Sequence, residues 1–185
     1  WYGRMLDRER YEKTLFVDLD LTEAQNTGSV FTECTFRRAR FNASVHRDSA
    51  FVNCTFVSCK FFEASFTECK LVGSMFDACD FANMLATDGD WSFTGLPGAD
   101  LRRTRFLRAR FREADLTGAN CQGGSLRDVD LSGAWLHSVD FTGCDLRGSD
   151  LSAIEPDAVR LRDAIITIDQ TIVIAEALGL DVRRD

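Results

Sequence analysis

At 185 residues the chain is long enough for one domain with a sizeable core and too short for two comfortable ones. Its 22 Lys and Arg stand against 29 Asp and Glu, a formal charge of −7, which argues against direct nucleic-acid binding because phosphate binders are usually basic. No apolar run approaches the ~20 residues of a membrane helix, and the opening WYGRMLDRERYEK is too charged for a signal peptide. A soluble, cytoplasmic protein is expected.

Residues 1–10 read as a lead-in. From Tyr11 a large apolar residue returns every fifth position, through Phe16 and Leu21, with Asn26 as a gap. Between Phe31 and Leu151 this column has 25 places, and 22 hold Phe, Leu or Trp; the exceptions are His46, Ala86 and Cys121. Two residues before each large one sits a small one, as in Cys34, Ala39, Ser44 and Cys54, and the other places are mostly polar. A helix repeats at 3.6 and a strand at 2, so neither explains a period of five. A fixed period with one large and one small inward residue predicts a repeat solenoid with a continuous core. The column holds its phase to Ile166, which gives a solenoid over residues 11–166, about eight coils of 20. No projecting loop is visible. Residues 83–98, with Ala86, Trp91, Pro97 and Gly98, predict a local kink or widened coil.

Six arginines fall between Arg102 and Arg112. Arg108 lies one coil from Asp88 and Asp128, and Arg110 one coil from Asp90 and Asp130, so a belt of salt ladders is favoured over a phosphate site. Farther on, acids dominate: Glu113 to Asp181 holds 13 acids against four Arg, a net −9. Spacing by 20 aligns Asp48, Glu68, Asp88 and Asp128 in one outward column and Asp20, Asp80, Asp100 and Asp140 in another. Two readings of these acids stand side by side: a surface for a cationic partner, or a common repeat residue whose carboxylate satisfies a turn.

The tail, residues 167–185, leaves the fivefold pattern. Asp169 is the expected helix N-cap and Gly179 the expected stop. Apolar residues at Ile168, Ile172, Val173, Ala175 and Leu178 predict a capping helix that also pairs with a second copy.

No catalytic residue, cofactor or metal site is expected. Six of the seven Cys occupy the small inward slot and Cys121 a large one, so they read as core filler. There is no CxxC, and His46 and His137 stand far apart along the chain's rise, with no nucleophile beside a base.

The stretches ADLTG, VDLSG, VDFTG and SDLSA show the repeat most purely. On these residues the chain resembles the pentapeptide-repeat proteins, whose pattern is small, Asp or Asn, Leu or Phe, Ser or Thr or Arg, then Gly. The resemblance implies a right-handed parallel β-helix of square cross-section, one pentapeptide per side and four per coil. Length, unbroken register and tail are similar to the MfpA-like branch, related to the Qnr and albicidin-immunity proteins. That branch implies binding to DNA gyrase, mimicry of duplex DNA, and protection from gyrase-directed drugs such as quinolones. Under this reading the partner-binding acids are Asp48, Glu68, Asp88, Asp100, Asp115, Asp128, Asp130, Asp140, Asp145 and Asp150. Coils ~4.8 Å apart make a rod of roughly 37 Å, or about 75 Å for a dimer joined at its C-terminal ends. The alternative is an interaction scaffold for a partner other than gyrase.

Overall fold

The computed structural model describes residues 1–183; the last two residues of the expected 167–185 tail lie outside them. Large residues five apart all turn inward, and this closes the chain into a four-sided parallel β-solenoid. One side carries a seven-stranded sheet: Met5–Asp7, Gln25–Thr27, Val45–Arg47, Ser65–Thr67, Leu85–Thr87, Arg105–Leu107 and Ser125–Arg127. Every pairing is parallel and shifted by 20 residues, as in Met5↔Gln25 and Arg105↔Ser125. The bridges Ser125↔Asp145 and Asp145↔Ile165 carry this side two steps farther. Two other sides hold a three-stranded sheet (Arg10–Glu12, Val30–Thr32, Ala50–Val52) and a four-stranded one running from Leu15–Val17 to Met75–Asp77. The fourth side is stitched by single bridges, among them Asp20↔Arg40, Arg40↔Lys60 and Asn120↔Asp140.

The expected lead-in is therefore part of the solenoid. Met5–Asp7 pairs with Gln25–Thr27, and Leu6 takes the buried inward place that the column predicts for position 6.

Inside, like rings lie one above another. Phe31 stacks on Phe51 at 4.8 Å with 2° between the planes, and Phe36 on Phe56 at 5.0 Å with 6°. Around each coil the same rings meet edge to face, as Phe31 meets Phe36 at 5.6 Å. Both are favoured aromatic arrangements, worth about 0.5–1.5 kcal/mol per pair beyond burial.

The kink expected at residues 83–98 is absent. Ala86 sits in register between Phe66 and Phe106, and the bridges Lys70↔Asp90 and Gly95↔Asp115 continue without a slip. The reason is compensation between neighbouring levels. Trp91 meets Phe66 edge-on at 5.9 Å and Phe106 at 5.3 Å, the rings below and above Ala86, so its indole fills the space that Ala86 leaves. At residue 89 a Cβ would stand 2.9 Å from the indole Nε1, so glycine makes the room.

The helix spans Ile168–Ala177. Its N-cap is Thr167 rather than Asp169: the Thr167 hydroxyl accepts from the Gln170 amide, and the Gln170 side chain accepts from the Thr167 amide. Ile166 still belongs to the solenoid column, so the helix starts as soon as that column ends. Past Leu178, Gly179 adopts a left-handed φ of +83°. The amides of Gly179 and Leu180 bond the Glu176 and Ala175 carbonyls, which closes the helix end. Gln170 also anchors the helix to the solenoid: its Nε2 donates to the Leu146 and Ser149 carbonyls at 2.8 and 2.7 Å.

Candidate functional site: an acidic surface around the C-terminal coils

Six of the ten candidate acids stand at the outward residue just before an inward one, and the turn that follows explains why. Its carboxylate accepts the backbone N–H two residues on: Thr117 to Asp115 at 2.9 Å, Ser132 to Asp130 at 3.1 Å, Ser152 to Asp150 at 2.9 Å. Asp100, Asp140 and Asp145 make the same bond with Arg102, Thr142 and Arg147. Asn120 does so too, to the Gln122 amide at 3.1 Å, so the turn needs a side-chain oxygen and not a charge. Six of the ten candidate acids are thus turn acceptors as well as charges.

The other four stand on a corner, where the backbone is left-handed: φ is 50° at Asp48, 55° at Glu68, 56° at Asp88 and 54° at Asp128. All four are exposed. Arg108 interrupts their column and binds Asp88 through two nitrogens at 2.6 and 2.8 Å, a geometry that holds the Asp88 carboxyl below its ordinary range. Asp48, Glu68 and Asp128 form no ion pair among the described residues.

The ten acids do not share one stripe. Asp145 lies on the side of the seven-stranded sheet, Asp130 and Asp150 on the next, Asp115 on the third, and Asp100 and Asp140 on the fourth. Within the C-terminal coils they form a girdle. Asp140 presents little of its charge. It is buried, held to about 2 chiefly by hydrogen bonds from Thr142, with further bonds from Arg160 at 3.2 Å and Gln122 at 2.8 Å. Asp100 and Asp145 are each clasped by the arginine two residues on, which lowers both carboxyls. Glu113, Asp115, Asp128, Asp150, Glu155 and Asp157 are in no ion pair among the described residues and carry the open negative charge.

The arginine belt is only partly the ladder expected. Arg108 pairs with Asp88 and Arg110 with Asp90 at 3.8 Å, but Asp130 is taken diagonally by Arg112. Arg103 and Arg105 pair with no acid among the described residues and line shallow hollows with Asn83.

Three of the buried thiols are held in the protonated form by burial, whereas the side-chain hydrogen bond from Cys79 lowers Cys59. Burial raises Cys54 and Cys144 to about 12 and Cys69 to about 11, so the reactive thiolate does not form near neutrality. His46 is enclosed between Phe41 and Phe51, and burial lowers it to about 3. Since the Ser44 hydroxyl donates to the Phe41 carbonyl at 2.6 Å, it accepts from His46 Nε2, which leaves Nδ1 to accept from Asn26 Nδ2 at 3.1 Å. The ring is a neutral core group.

The tail divides by exposure. Val173 packs on the solenoid core together with Ile174, whereas Ile168 is 88 % exposed and Leu178 56 %. Ile172 and Ala175 are half-buried. Leu180 and Ile165, both exposed, extend the apolar surface of this end.

One outward residue escaped the sequence reading. Trp135 is 65 % exposed on the same side as Asp115. Its signal was available: it stands at an outward place, where the repeat puts Asp, Ser or Thr.

Four sides, a twenty-residue register and one large inward residue per side give this chain the fold of the pentapeptide-repeat proteins. Within that class its similarities are to the MfpA and Qnr type. The family model for pentapeptide repeats, in eight copies, matches residues 96–133 and 114–152. The pentapeptide repeat protein MfpA of Mycobacterium tuberculosis (strain ATCC 25618 / H37Rv) is 34 % identical over 87 residues, 47 % of this chain and 48 % of that protein. The match spans about half the length of that relative. A trypsin-treated form of QnrB1, described as a plasmid-mediated fluoroquinolone resistance protein, superposes with a TM-score of 0.63 at 20 % identity, covering 99 % of this chain and 96 % of that one. Full-length QnrB1 gives 0.57 at 22 % identity, covering 97 % and 96 %. These structures share the fold.

Proposed function

We propose that this protein binds DNA gyrase through its acidic C-terminal coils, occupying ground that duplex DNA would hold, and so modulates the enzyme or protects it from quinolones and other gyrase poisons. It acts without chemistry of its own, as a homodimer joined through the C-terminal helix. The observation that carries this reading is the segregation of charge: residues 113–181 hold a net −9, whereas the whole chain is −7 and the remaining residues together are +2. DNA carries one charge per ~1.7 Å, so two such segments meeting at a dimer centre give −18 over roughly 30 Å, near DNA density. The girdle suits the reading, because a duplex is also charged around its circumference. The exposed Ile168, Leu178 and Leu180 supply an apolar end for the second copy.

The second reading is a scaffold for a partner other than gyrase. It is favoured by the turn bonds, which account for six of the acids without any partner at all.

The two separate in a gyrase supercoiling assay with the protein titrated in, with and without a fluoroquinolone, using Asp115→Asn, Asp130→Asn and Asp150→Asn together. Asn120 shows that asparagine keeps the turn. Inhibition or drug protection that weakens in this variant and falls with salt supports charge mimicry. No effect of the parent protein on gyrase in either condition puts the scaffold reading first.

A further inference from the structure

Trp135 is an exposed aromatic in the middle of the open acids. It shares an outward column with Asp115 through the bridge Asp115↔Trp135, and two backbone bonds hold it to that coil: its amide donates to the Ala114 carbonyl at 2.8 Å, and its carbonyl accepts from the Leu116 amide at 3.0 Å. Beside the indole lies a hollow of about 240 Å³, lined also by Glu155, His137, Ala153, Ala158 and Val159. Small-molecule sites run to ~300–1,000 Å³, so this space suits one inserted side chain. The walls are apolar at Ala153, Ala158 and Val159 and carboxylate at Glu155. Neither Glu155 nor Asp115 is in an ion pair among the described residues. Among the described residues no cation covers the indole either; the guanidinium that sits over an aromatic face there is that of Arg4, 4.8 Å from the Trp1 ring.

We infer that Trp135 and Glu155 form a receptor for an arginine side chain of a protein partner, the anchor point of the acidic surface. The match is chemical at each end of the side chain. Arginine's three-carbon stem is apolar and lies against Ala153, Ala158 and Val159. Its planar guanidinium stacks on tryptophan, the best aromatic acceptor of a cation, while its fork of donors meets a carboxylate in two parallel bonds. A lysine ammonium satisfies the charge but not the stacking or the fork. Diffuse negative charge attracts any cation; an indole beside a free carboxylate selects arginine. This inference rests on the reading of the C-terminal coils as a surface for a partner's cations, and it needs no particular partner.

The test uses the full chain with Trp1→Phe, so that emission comes from the exposed Trp135 and the buried Trp91. Tetra-arginine amide and tetra-lysine amide are titrated at fixed ionic strength. The expected result is a saturable change in emission with tetra-arginine, binding about 5-fold tighter or more than tetra-lysine. Trp135→Leu, read by calorimetry, lowers tetra-arginine affinity about 5–10-fold and leaves the melting temperature unchanged, since the side chain packs outside the core. Glu155→Gln lowers it about 3-fold or more. Equal affinity for the two peptides, undiminished binding in Trp135→Leu, or no binding at all overturns the inference. Arginine selectivity without any effect on gyrase sinks the gyrase reading and leaves this one standing.

Discussion

Gly89 and Trp91 fit each other: a single Cβ on residue 89 would lie 2.9 Å from the indole Nε1 and 3.0 Å from the Cys69 carbonyl. Gly89→Ala is expected to cost about 1–3 kcal/mol, the range for overpacking a filled core. With Trp91→Phe in the background the cost shrinks, since the two sites share one space. Urea denaturation of the four proteins measures the coupling. Strict additivity of the two changes means that they do not compete for it.

His46 makes the core sensitive to acid. An unfolded chain protonates this side chain as pH falls through 6.5, whereas the folded one stays neutral until about 3. Between these values the unfolded state binds more protons, so stability falls as pH drops, by about 1.4 kcal/mol per unit at most. Asp88, Asp100 and Asp145, held below their ordinary 3.8, add their losses only under that value, which leaves the window from about 4.5 to 6 to His46. Asn26→Leu with His46→Phe removes the polar pair together and is expected to flatten stability across this window. A slope unchanged in the double variant would place the acid sensitivity elsewhere.

Exposed and packed residues of the tail separate assembly from folding. Light scattering is expected to give about twice 20.8 kDa. Ile168→Asp is expected to give a monomer with its melting temperature nearly intact, because that side chain touches little of its own chain. Val173→Asp is expected to lower the melting temperature, because Val173 packs on the core. A parent protein that is monomeric at micromolar concentration rules the dimer out.

Gln170→Ala removes two functions at once, the side chain's half of the capping box and the bonds to the Leu146 and Ser149 carbonyls, while the Thr167 hydroxyl still accepts from the backbone N–H of residue 170. The bond lost from the Thr167 amide is worth about 1 kcal/mol and a stranded buried carbonyl about 1–3. A loss of at least about 2 kcal/mol is expected in thermal or chemical denaturation. Glutamate at this place keeps the cap but cannot donate, so Gln170→Glu should fall between the two. A Gln170→Ala protein as stable as its parent shows that the helix is not bound to the last coil.

The inward column was legible because a period of five matches no other regular structure. What the sequence hid is contact between levels. Ala86 and Trp91 look like faults when read along the chain, and only the stack shows that Trp91 reaches the rings above and below Ala86. Thr167 and Gln170 spell a capping box, and the end of the fivefold column at Ile166 fixes the helix start there, which leaves Asp169 inside the first turn. Among the acids, spacing by 20 found the columns. It did not reveal that Arg102 and Arg147 fold back two residues to clasp Asp100 and Asp145, since side-chain direction is not written in a period. Trp135 stands at an outward place, which the fivefold period of the core leaves unconstrained.

A coil of twenty residues divided among four sides gives the chain a frame, much as a codon gives one to a message. Removing one whole coil shortens the rod by one rise and returns every later residue to its own side. Removing a single pentapeptide keeps every inward residue inward, yet turns all that follows through a quarter revolution. Asp115, Trp135 and Glu155 would then point where another side now points, on a rod whose core had hardly changed. Within this architecture, the direction a surface residue faces is set by arithmetic upstream of it.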